Sequence, residues 1–189
     1  PLLTLMGRRV LHTGDLGSAS ILKVMTNYLA TANLLTLCEA LVTMKAVGLD
    51  LATTYEAIKI SSGTSFVHET ESQLILSGSR DVNFTMDLVL KDIGLFQKTA
   101  DGLDVPLEIS PQIILIIQDG QSRFGDRAQS DRIIERLEQA TGLSVRADGF
   151  RMLWSMMKPK SWAMRCIPSI EASHPRSLSA ICGASQRGV

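Results

Sequence analysis

From Ile21 to Met44 almost every position is apolar, broken by polar side chains that include Lys23, Asn27, Asn33 and Glu39. No glycine or proline interrupts the run between Gly17 and Gly48. A glycine-bearing turn at Gly14–Gly17 opens it and a glycine closes it, which is the punctuation of one long helix. At about 1.5 Å per residue such a helix spans roughly 45 Å. Apolar positions on nearly all sides predict a buried helix.

The pattern continues in shorter helical segments with cap signals. Asp50 is placed to cap Leu51 to Ile60, and Ser61-Ser62-Gly63 breaks that helix. Thr64 or Ser65 caps the next, through about Leu76, with Gly78 ending it. Asn83 or Thr85 starts a helix from Met86 to about Ala100, with Leu88, Leu95 and Phe96 as expected core positions. Ser110-Pro111 reads as a cap followed by proline at the first helical position. The run Ile113 to Ile117 fits a strand by propensity, but its start and its helical neighbours favour helix. Ser122 to Asp126 reads as a turn, and Ser130 or Asp131 begins a last helix, through about Thr141 to Gly142. Before the long helix, Pro1 to Met6 reads as a helix end and Val10 to Thr13 as a short strand. The expected fold class is all-α: about six helices built around one long N-terminal helix, with a poorly ordered C-terminal tail.

Charge divides the chain more sharply than composition does. Residues 1–150 hold 13 Lys and Arg against 18 Asp and Glu, and residues 151–189 hold 6 against 1. Zero net charge is the sum of two unlike pieces. Both tryptophans, Trp154 and Trp162, lie in the second piece, as do Cys166 and Cys182. Capped, periodic helix fades there, so residues 151–189 are expected to be an atypical basic tail, poorly ordered or read in a shifted frame. No basic footprint for nucleic acid marks the rest. Three scattered cysteines match neither a disulfide framework nor a metal site, so a reducing, cytoplasmic compartment is expected. The long helix has the length of a membrane span, but its charged and amide side chains and the lack of flanking basic clusters argue against one. His68 and Glu71 share a helix face, yet no further ligands accompany them, and no metal is expected. Cys38 reads as a small buried hydrophobe.

Lys23 and Asn27 are four apart, neighbours on one helix face. A partly desolvated amine can transfer protons, and an amide beside it can orient that amine or a substrate hydroxyl. The same pair also fits a lysine snorkelling to water and an asparagine bonded to backbone.

The segment Gly14-x-x-Gly17-x-Ala19-x-x-x-Lys23-x-x-x-Asn27 resembles the G-x-x-G-x-G-x-x-x-K-x-x-x-N signature of the β-hydroxyacid dehydrogenases, which include 3-hydroxyisobutyrate dehydrogenase and 6-phosphogluconate-dehydrogenase-like relatives. Ala19 replaces the third glycine. Phe84 to Asp92, with Lys91-Asp92 at its end, is similar to the family's F-x-x-x-x-x-x-K-D segment. The likeness extends from about Pro1 to Phe150. It implies that residues 14–150 are a helical C-terminal dehydrogenase domain and residues 1–13 the end of a missing dinucleotide-binding domain. No G-x-G-x-x-G fingerprint sits between a strand and a helix in this sequence.

The resemblance implies NAD or NADP as cofactor, bound mainly by the missing half, and a small hydroxyacid as substrate. Lys23 would be the general acid/base, with Asn27 orienting it and the substrate. Gly17 would line the substrate site, and Lys91, Phe84 and Asp92 would lie on the cofactor side. A homodimer built through this half is implied too, with a non-catalytic assembly domain as the rival reading.

Overall fold

The computed structural model describes residues 5–7 and 9–150. The sequence expectations for residues 151–189 therefore lie outside the described residues. Two compact units divide the chain, and the helical one begins at Thr13. In the other unit, Leu5 and Met6 are helical. The strand expected at Val10 to Thr13 is not formed: residues 9–13 have no regular secondary structure. A strand needs a partner for its backbone groups, and the β pairing among the described residues is a single bridge between Thr85 and Gln129.

Among the described residues, the unit from Thr13 is all-α. Its helices are α1 (Ser18–Val47), α2 (Leu51–Lys59), α3 (Phe66–Ser77), α4 (Met86–Asp101), α5 (Ile109–Phe124), a 3-10 turn (Ser130–Ile134) and α6 (Glu135–Thr141). Most ends follow local chemistry. Asp50 accepts from the Thr53 amide and Ser65 from the His68 amide, each satisfying a donor that the first helical turn leaves unpaired. Gly48 closes α1 at φ 87, a left-handed conformation that costs a side-chain-bearing residue strain.

Two boundaries differ from expectation. Helix α5 begins at Ile109, so Ser110 is buried inside the first turn and Pro111 sits third rather than first. Proline is tolerated there because first-turn amides have no intrahelical acceptor. The same helix runs through Ser122 and Arg123 to Phe124, where a turn was expected, and ends at Gly125. Asp119 paired with Arg123 one turn apart supports that last turn. Within α5, Ile113 and Ile117 are buried while Leu115 is exposed, the periodicity of a helix and not of a strand.

The core joins Leu34, Leu41 and Val42 of α1 to Tyr55, Ile75, Leu76, Met86, Val89, Ile93, Ile117 and Ile134. Helix α1 is thus buried in its middle and second half only. Ile21, Leu22, Met25 and Leu29 are exposed, against the expectation of burial on all sides. The α4 expectation is corrected as well: its core face is Met86, Val89, Ile93 and Ala100, whereas Leu95 is exposed and Leu88 and Phe96 are half-buried. By length and composition α1 could cross a membrane, and its buried residues pack in this protein core. Gly120 lets α5 approach the 3-10 turn, since a Cβ there would collide with Ile133 Cδ1 and lie 3.2 Å from Met86 Sδ.

Candidate active site

Lys23 and Asn27 occupy successive turns of α1, and both reach across to α4. The Asn27 amide donates to Asp92 Oδ2 at 2.6 Å, and the Lys23 ammonium donates to the same oxygen. Lys91 Nζ stands 3.8 Å from the other carboxylate oxygen. The side chains differ in exposure: Asp92 is 4% exposed, Lys23 46% and Lys91 61%. A buried anion therefore holds two cations at the surface.

Helix α4 places Asp92 by its own apolar face. Val89 and Ile93, three residues before and one after, are buried in the core and hold that part of the helix against α1. Its first turn is tied by a Thr85 hydroxyl bond to Asp87, by an Arg127–Asp87 ion pair at 3.3 Å, and by the Met86 amide donating to Ala128 O. Burial by itself pushes the Asp92 carboxyl up. Hydrogen bonds from Lys23 and Asn27 and the charges of Lys23 and Lys91 outweigh burial and hold it below the usual carboxylate range. Asp92 is thus a fixed negative acceptor.

The Lys23 ammonium makes one hydrogen bond among the described residues, to Asp92, which leaves two of its hydrogens for a ligand oxygen. An ammonium anchored through one hydrogen and open to solvent through the others can bind an oxygen and exchange a proton with it. Lys91 touches only the edge of Asp92 and adds a second exposed positive charge.

Of the residues singled out in the sequence, Lys23, Asn27, Lys91 and Asp92 are brought together. Gly17 caps α1 at φ 99, before the helix that carries Lys23. Phe84 lies ahead of α4 with its ring against the core and its carbonyl accepting from the Ser130 amide at 2.8 Å. Neither has a hydrogen bond or ring contact with the Lys23 cluster. Two aromatics beside that cluster were not singled out as site residues. Tyr28 follows Asn27, Phe96 lies one turn beyond Asp92, and their rings stack at 4.2 Å and 15°. The four-residue step from Asp92 to Phe96 was the available signal.

The other candidates are structural. His68 is buried with Nε2 2.9 Å from the Tyr55 carbonyl and Nδ1 2.9 Å from the Ser72 hydroxyl, and burial lowers its pKa. Among the described residues no three His, Cys, Asp or Glu side chains are grouped to hold a metal. Cys38 is buried in α1, and burial pushes its thiol far up. A cleft of about 440 Å³ opens between Arg80, Arg132, Glu135, Glu138 and Arg146. It contains none of the Lys23 cluster, and Arg80 and Arg132 are spent on Glu138 and Glu135.

The family profile described as "NAD-binding of NADP-dependent 3-hydroxyisobutyrate dehydrogenase" matches residues 17–137. The chain is 34% identical over 146 residues to 2-(hydroxymethyl)glutarate dehydrogenase of Eubacterium barkeri, covering 77% of this chain and 48% of that protein. It is 27% identical over 150 residues to 3-sulfolactaldehyde reductase of Escherichia coli, with 77% and 49% covered. The chain thus spans about half the length of these relatives. Its fold is similar to a 3-hydroxyisobutyrate dehydrogenase from Mycobacterium tuberculosis solved with L-serine, at TM-score 0.62 and 18% identity, covering 68% of this chain and 46% of the other. A second likeness, to a 3-hydroxyisobutyrate dehydrogenase from Salmonella typhimurium, has TM-score 0.59 at 22% identity, with 64% and 42% covered.

Proposed function

The chain belongs to the 3-hydroxyisobutyrate dehydrogenase family, and from that membership we propose that it is the helical half of an NAD(P)-dependent dehydrogenase for a small 3-hydroxyacid, with Lys23 as its general acid/base. The observation that carries the reading is the shared Asp92 oxygen, which pins Lys23 and Asn27 side by side while leaving the ammonium open.

Lys23 and Lys91 fit the anionic groups that such a reaction brings. Two exposed ammoniums over a buried carboxylate form a positive rim suited to a substrate carboxylate or a dinucleotide phosphate. Bound NAD(P) supplies the hydride acceptor in one direction and the donor in the other. In the reductive direction, Lys23 hydrogen-bonds the substrate carbonyl oxygen and gives it a proton as that oxygen becomes a hydroxyl. In the oxidative direction, the neutral amine takes the hydroxyl proton as the carbon–hydrogen bond breaks. Asp92 fixes the position of the Lys23 nitrogen. Asn27 gives one of its two amide hydrogens to Asp92, which leaves the other hydrogen and its side-chain carbonyl oxygen for a substrate hydroxyl. Gly17 and Phe84 are proposed at the periphery, on the substrate and cofactor sides.

Lys23→Ala in the full-length protein that carries this chain tests the assignment. Turnover of 3-hydroxyisobutyrate or 2-(hydroxymethyl)glutarate with NAD or NADP, followed by nicotinamide absorbance, is expected to fall about 10²–10⁴-fold. Near wild-type turnover would remove Lys23 from the chemistry. The exposed Ile21, Leu22, Met25 and Leu29 favour a second role for this half as an assembly surface, with a homodimer as the proposed product.

A further inference from the structure

We infer that Tyr28 and Phe96 form a positioning pair, which sets the spacing and roll of α4 against α1 so that one oxygen of Asp92 reaches Lys23 and Asn27 together. The inference rests on the proposed role of Lys23. Besides the core packing of Val89 and Ile93, three side-chain contacts bridge the two helices within about one turn: Lys23 to Asp92, Asn27 to Asp92, and the ring of Tyr28 on that of Phe96. The first two share a single acceptor atom, Oδ2. A carboxylate oxygen serves two donors on successive turns only within a narrow range of helix positions, because hydrogen bonds weaken steeply with distance and angle.

The stacked rings lie where they can enforce that range. Phe96 is one turn from Asp92 on the same face of α4, and Tyr28 adjoins Asn27 on α1. Ring centroids 4.2 Å apart at 15° leave little freedom for sliding or for roll about the α4 axis. Both residues are only half-buried, unlike the fully buried Val89 and Ile93 that supply the core contact of α4. The stack therefore stands at the rim, next to the cluster, and not in the middle of the packing. A flexible aliphatic side chain in either place keeps apolar contact but loses the planar constraint.

Steady-state kinetics on the full-length protein test this, with 3-hydroxyisobutyrate or 2-(hydroxymethyl)glutarate and NAD or NADP as probes. Phe96→Leu and Tyr28→Leu are expected to lower kcat about 10²-fold, the scale of an ångström-sized misplacement, with KM changed less than about threefold. Tyr28→Phe, which keeps the ring, is expected to recover most of the loss. Because the pair acts through Asp92, Asp92→Asn combined with Phe96→Leu should be no slower than Asp92→Asn alone. Leucine variants that keep kcat within about twofold of wild type, or losses that multiply in the double variant, would overturn the inference. Lys23→Ala in the same series separates the two readings. If it is inactive while Phe96→Leu turns over normally, only the positioning role fails. If it turns over normally, the site itself is misassigned.

Discussion

A carboxylate as buried as Asp92 is retained as an anion only because its partners are built in. Its geometry also makes the two ends of the Lys23–Asp92 pair unequal. Asp92→Asn removes the buried charge, and the half-exposed Lys23 can turn to water, so the stability cost is expected to be about 1 kcal/mol or less. Activity is expected to drop far more, about 10²-fold or more in kcat, because the amine loses its anchor. Comparing melting temperature with kcat checks this; equal loss in both would make Asp92 a folding residue. At this scale the sequence was half legible. The four-residue step from Lys23 to Asn27 is local, and helical periodicity exposes it. Their common acceptor is 69 residues from Lys23, and no local pattern encodes a contact at that separation. Lys91-Asp92 was recognisable by resemblance alone, which did not say that the aspartate would be the centre of the cluster.

Elements were legible where a side chain or a glycine decides the end. Asp50, Ser65, Gly48, Gly78 and Gly142 bound their helices as expected. The start of α5 was misplaced because burial of Ser110 overrides its capping preference, and the faces of α4 were misplaced because apolar residues outnumber the buried positions. A close approach leaves even less trace in sequence. Gly120 sits inside α5 where alanine would favour the helix by about 1 kcal/mol, and the contact with Ile133 and Met86 is its reason. Gly120→Val is therefore expected to destabilise the unit by about 1–3 kcal/mol through overpacking. Chemical denaturation would measure it; a variant as stable as wild type would mean the α5 contact yields easily.

Across the whole helical unit, buried acids give stability a pH dependence. The Glu71 stem is only half-buried, but its Oε2 is shut off from solvent without a partner, and burial with the nearby Asp131 charge pushes its pKa up to about 8. Burial likewise raises Asp131 to about 6, against the pull of Arg80 and the Val82 amide. Both folded values exceed the ordinary 4.5 and 3.8. Their contribution to stability is therefore full below the ordinary values and is lost as pH rises through about 6 and then about 8. Asp92 and Glu138 are shifted down, and their contribution is lost in acid. The melting temperature is expected to be higher near pH 5 than near pH 8.5, and Glu71→Gln should flatten the alkaline decline. A melting temperature that rises steadily to pH 8.5 would contradict this. The Lys23–Asp92 bridge has a consequence for descent and redesign. Active-site groups commonly strain a fold, so discarding them tends to stabilise it. Here, discarding Lys23 alone leaves the buried Asp92 carboxylate to the Asn27 amide and the more distant Lys91, without its principal charged partner. A lineage that abandons catalysis gains no stability from that first step and is pressed to replace Asp92 as well. An inert scaffold made from this chain would need both changes at once, an apolar pair in place of the ionic one.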